Sequence, residues 1–124
     1  MCEKSKQAIE LYGQARQAEQ AGQSMLAESY YIQSQALFVE ACEANDTQCL
    51  NAANTLNALT FLRWSLKDYE AALYSAKKSV KIMESYRKEF IASADADFLY
   101  DTSIGLMDQM QYEVSLVSTK SSYV

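Results

Sequence analysis

The sequence predicts an all-α protein, five helices in an antiparallel stack of helix pairs, and three observations carry that prediction. There is no proline and there are only three glycines, Gly13, Gly22 and Gly105, so almost nothing interrupts an i to i−4 hydrogen-bond ladder. Apolar residues recur at spacings of three and four, without the strict alternation that marks a strand. The 124 residues, 49% hydrophobic and 22% charged, fit one domain around one core.

A short polar break bounds each helix. The first helix, residues 4–21, ends at "AGQS", where Gly22 supplies a left-handed helix end and Ser24 a cap for the second helix, 24–44. At "ANDT", Asn45 ends that helix and Asp46 caps the third, 47–66. "LKD" separates the third from the fourth, 69–90, and the two pairs are therefore 4–44 and 47–90. In "ASADAD", Ser93 is the cap, and Asp95 and Asp97 sit where a helix N-terminus favours negative charge, opening a fifth, capping helix at 94–117. Residues 118–124, "STKSSYV", read as a frayed tail. Connections this short make sequential helices antiparallel.

Composition removes several functions. Histidine is absent, which takes away the usual general base, the Ser-His-Asp and Cys-His arrangements and most zinc sites. No catalytic residue, metal site or cofactor is expected, and Asp97 and Asp101, one turn apart, read as acids serving the helix dipole. A net charge of −5 with scattered Lys and Arg gives no basic footprint for nucleic acid or an anionic membrane. No apolar run approaches the ~20 residues of a membrane span. Cys2, Cys42 and Cys49 form no CxxC pair and read as reduced thiols of a cytoplasmic protein. Two other readings stay open: a bridge between Cys42 and Cys49 if their Cα atoms come within ~7 Å, and a lipid-anchored or periplasmic protein with lipid on Cys2.

An internal repeat accompanies these breaks. "AGQSMLAESYYIQS" holds Gly22, Ala27, Tyr31 and Ser34 at offsets that Lys67, Ala72, Ala76 and Ser79 repeat in "SLKDYEAALYSAKKS", 45 residues later. Small residues at matched positions let two helices approach closely. The stretch "NTLNALTFLRWSLKDYEAALYSAKKSVKI", with Leu56, Leu59, Tyr69, Ala72, Leu73, Ser79, Val80 and Ile82, resembles the tetratricopeptide repeat. Thr60 and Lys67 stand where that family prefers glycine, Arg63 where it prefers tyrosine and Glu84 where it prefers proline. The period also exceeds the usual ~34 residues by about three helical turns. The same period carries Leu59 and Thr60 onto Ile104 and Gly105, at the centre of the capping helix. "AIELYGQARQAEQAGQ" followed by "AESYYIQSQAL" also looks like the three-helix domain of endosomal trafficking proteins that bind helical tails, and a plain helical bundle is the third reading.

On a helical wheel the third helix has two faces, Leu56, Leu59, Arg63 and Leu66 on one, and Asn54, Asn57, Phe61 and Trp64 on the other. In the tetratricopeptide family the second face lines a concave ligand groove. The equivalent positions are Ile9, Tyr12, Arg16 and Glu19 in the first helix, and Leu99, Thr102, Leu106 and Gln109 in the fifth. The resemblance thus implies a scaffold or adaptor module in which Tyr12, Arg16, Asn54, Asn57, Phe61, Trp64, Leu99 and Thr102 hold a peptide or amphipathic helix of another protein. The family's carboxylate clamp is not expected, because Ile9, Gly13 and Ala58 occupy its positions. Two competing readings concern Phe61 and Trp64: the fifth helix closes over them as core, or their face meets a second copy in a homodimer.

Overall fold

The computed structural model describes residues 3–42, 46–89 and 93–122. Among these the uninterrupted ladder forms five helices and no strand: α1 (Glu3–Gln20), α2 (Ser24–Cys42), α3 (Asp46–Ser65), α4 (Tyr69–Glu89) and α5 (Ala94–Ser122). Asn45, Cys2 and Val124 lie outside the described residues. Residues 118–122, expected to fray, continue α5, because "VSTKSS" offers neither glycine nor proline to stop it.

Within each pair the turn is the same. Gly22 has φ 75°; its N–H donates to Glu19 O at 3.1 Å, and the Gln23 N–H donates to Ala18 O at 2.8 Å. Lys67 has φ 61°; its N–H donates to Trp64 O at 2.9 Å, and the Asp68 N–H to Arg63 O at 2.9 Å. Both turns are Schellman motifs, which satisfy carbonyls that a helix end would leave bare. Ser24 is not the cap of α2: it is already helical, and the carbonyl of Gln23 opens the ladder to Ala27 N. Ser93 does cap α5, accepting from the Ala96 N–H at 3.1 Å.

Packing repeats with the same 45-residue period. Ala27, Tyr31 and Ser34, and their counterparts Ala72, Ala76 and Ser79, are all fully buried. Ser34 Oγ donates to Ala8 O at 2.7 Å, and Ser79 Oγ donates to Ala53 O at 3.2 Å, linking matched residues of α1–α2 and of α3–α4. Contacts advance along one helix as they recede along the next, so neighbours run antiparallel: Ser34 meets Ala8 while Tyr31 meets Tyr12. Arg63 on α3 joins the two pairs, with Nε on Glu28 Oε2 at 3.1 Å and Nη1 on Ala71 O at 3.1 Å.

The two junctions between units are built differently. Cys42 and Cys49 form a disulfide across the α2–α3 hairpin, with Cα atoms 4.5 Å apart. The expectation of reduced thiols therefore fails for this pair. At the α4–α5 junction Arg87 lies over the Tyr100 ring, 4.3 Å from its centroid, and 3.8 Å from Asp97 Oδ1. No helix among the described residues is long and apolar enough to cross a membrane.

Candidate functional site

Helices α1, α3 and α5 share one side of the stack, and a groove of about 660 Å³ opens between them. Seven of the residues expected to contact a partner line it: Tyr12 and Arg16 from α1, Asn54, Asn57 and Phe61 from α3, and Leu99 and Thr102 from α5. The helical spacing explains this. Tyr12 and Arg16, Asn54 and Asn57 with Phe61, and Phe98 with Thr102 each stand three or four residues apart and so share a helix face.

Trp64 is placed elsewhere. It is half-buried, packed beside Ala72, Leu73 and Met110 of α4 and α5 with Tyr69, Met107 and Val114. Phe61, by contrast, is 49% exposed in the groove, its ring 6.3 Å from that of Trp64 and inclined by 21°. The aromatic pair thus spans the boundary between groove and core. Leu106, on the face expected to line the groove, is buried, and Leu66 of the leucine stripe is exposed at the end of α3.

Asn57 forms the floor of the groove and differs from expectation in its burial, being only 4% exposed. Its Oδ1 accepts from Ser103 Oγ at 3.1 Å, and Ser103 also contacts Ser79 Oγ at 2.8 Å and Leu99 O at 2.8 Å. Asn57 Nδ2 is buried and has no hydrogen-bond partner among the described residues. Such an orphaned donor is uncommon in a folded protein.

The α1 wall is polar and aromatic. Tyr31 is fully buried, donates its hydroxyl to Glu19 Oε1 at 2.7 Å and meets Tyr12 edge-on at 5.7 Å. Burial, then the bond to Glu19, pushes the Tyr31 phenol well above its ordinary range. Arg16 donates to the Tyr12 hydroxyl at 3.4 Å, a contact that raises the guanidinium above its usual value. Among the described residues Arg16 forms no ion pair, whereas Arg63 and Arg87 each have a carboxylate.

Glu19, on the face of α1 expected to line the groove, completes the lining together with Tyr31, Ala58, Gln20 and Phe98, which were not expected there. Phe98 carried a usable signal, standing one turn before Thr102 on the same helix face. Tyr31 did not, since its place in the repeat marks it as core. Among the described residues no group of His, Cys, Asp or Glu is arranged to hold a metal ion. Its polar donors and aromatic walls suit the groove to binding. Comparisons with family models, with curated proteins and with solved structures found no match for the chain.

Proposed function

We propose that the chain is a protein-interaction module, a tetratricopeptide-like stack of two long helix pairs and a capping helix that holds a peptide of a partner protein in the α1–α3–α5 groove. One observation carries this reading: a single groove gathers Tyr12, Arg16, Asn54, Asn57, Phe61, Leu99 and Thr102 from three helices distant in sequence. A concave face lined by alternate helices is how helix-pair stacks present a ligand surface. A non-enzymatic role fits the lack of histidine, and the scattered basic residues fit a protein partner better than nucleic acid. The Cys42–Cys49 bridge favours an oxidising compartment, periplasmic or extracellular, over the cytoplasm.

A second reading, self-association through the groove, draws on Phe98 and Phe61, which are 72% and 49% exposed. Light scattering across a range of concentrations, together with binding of selected linear peptides to wild type and Phe61→Ala, separates the two. The peptide reading expects a monomer whose affinity falls about tenfold or more in Phe61→Ala with unchanged circular dichroism. A mass that doubles with concentration, and returns to that of one chain in Phe61→Ala, supports the homodimer instead.

A further inference from the structure

We infer that two copies of the chain pair through the outer faces of α4 and α5, around a two-fold axis parallel to these helices, so that α4 of each copy lies against α5 of the other.

Register within one chain decides which residues meet. Ser79 Oγ lies 2.8 Å from Ser103 Oγ, and seven residues earlier on α4 Ala72 shares a core cluster with Met110, seven residues later on α5. Each α4 residue therefore has a level counterpart on antiparallel α5: Lys81 with Asp101, Lys77 with Gly105, Tyr74 with Asp108 and Glu70 with Tyr112. All eight are exposed, and none lines the groove. Helix α3 packs on the other side of this helix pair, through Ser75 and Ser79 of α4 and Ser103 of α5. Within the chain the two rows thus point outwards, and among the described residues Lys77, Lys81, Asp101 and Asp108 form no ion pair.

A two-fold axis parallel to the helices moves no residue along them, so level counterparts within a chain become facing residues between chains. Helix direction is also kept, which sets α4 antiparallel to α5 of the other copy, as in a four-helix bundle. The Lys81 ammonium then meets the Asp101 carboxylate, the Tyr74 hydroxyl donates to Asp108, and the Tyr112 hydroxyl donates to Glu70. Gly105 gives the Lys77 stem a flat surface to lie on, with Asp101 and Asp108 one turn to either side. Further along, Glu84 is level with Phe98 and Lys88 with Ala94, so no like charges face each other over six levels. Tyr74 and Tyr112, 69% and 58% exposed, are covered in the same step. A face complementary to itself, at the register its own chain imposes, singles out a second copy as its occupant. Exposed ion pairs are individually weak, so pairing belongs to about 0.1 mM and above, beyond the concentrations of a peptide-binding assay.

Light scattering on the intact chain, from about 10 μM to about 1 mM, tests this. The mass should climb from one chain towards two, with a midpoint raised about tenfold by high salt and unchanged in Phe61→Ala. Two double variants, Lys77→Glu with Lys81→Glu and Asp101→Lys with Asp108→Lys, should each stay at one chain with unchanged circular dichroism. Mixed in equal amounts they should reach two chains, because each then meets opposite charge on both helices, and the variant with all four changes should again pair with itself. Carbodiimide cross-linking of mixed unlabelled and nitrogen-15 wild-type chains needs no variant, and should join Lys81 of one isotope to Asp101 of the other. A wild-type mass of one chain at about 1 mM, a mass beyond two chains, or an absence of mixed-isotope links overturns the inference. So does pairing that survives either double variant alone, or a mixture of folded double variants that stays at one chain. A dimer lost in Phe61→Ala overturns it too, and assigns association to the groove.

Discussion

Gly22 and Lys67 stand 45 residues apart in sequence and take the same left-handed backbone conformation at the same point of two matching helix-ending turns. Glycine adopts that conformation freely, whereas lysine pays for its Cβ. Lys67→Gly should therefore stabilise the chain by about 1 kcal/mol, a melting-temperature rise of roughly 3–6 °C, and Gly22→Ala should destabilise it by a similar amount. Urea or thermal unfolding of the two variants checks both signs.

Tyr31 supplies a pH dependence. Its phenol is raised above the ordinary tyrosine range by burial and by the bond to Glu19, so the folded state holds the proton more tightly than the unfolded chain does. The stabilisation is fully present below about pH 10, the unfolded value, and is lost as pH rises above it. Tyr31→Phe should unfold at lower urea at pH 7, by about 1.5–3 kcal/mol for a hydrogen bond to a charged group, and lose less of its stability between pH 9 and 11 than wild type. Identical alkaline slopes in the two proteins would refute the assignment.

Trp64 and Phe61 should respond oppositely to truncation. Trp64 packs against α4 and α5, so Trp64→Ala is expected to lower stability by about 2 kcal/mol, less than for a fully buried tryptophan. Phe61→Ala, at a half-exposed position, should change stability by under ~1 kcal/mol and act on peptide binding. Paired melting curves separate the two roles.

Loss of the disulfide should be felt as well. A bridge spanning seven residues limits the unfolded chain by about 2.5 kcal/mol on the chain-entropy model. The Cys42→Ser, Cys49→Ser double variant, or wild type under reductant, should shift the urea midpoint accordingly. Intact-mass spectra before and after reduction report the bridge directly through a gain of two hydrogens.

Much of the architecture was legible because local rules agree with the packing. Without proline, and with a left-handed backbone among the described residues only at the Gly22 and Lys67 turns, the five helices follow from the chain's own propensities. Ala27 with Ala72, and Ser34 with Ser79, disclose the period because close helix contact permits only small side chains. The groove residues were legible as a helix face, yet a wheel does not tell which part of a face a later helix covers. For that reason Phe61 and Trp64, three residues apart, end on opposite sides of the core boundary. Asn57 was readable as a groove residue but not as a buried one, since its burial comes from Ser103, 46 residues away. The disulfide was open for a similar reason: spacing permits the Cα approach of Cys42 and Cys49 without requiring it.

The covalent link at the first junction also decides how the chain carries a load. Tension applied to the two ends passes from α2 to α3 through sulfur, so the residues between Cys42 and Cys49 are slack in the circuit. Fully stretched, the bridged molecule is shorter by ~20 Å than its reduced form. Under force, the first helix pair stays tethered at its far end to the helix that floors the groove.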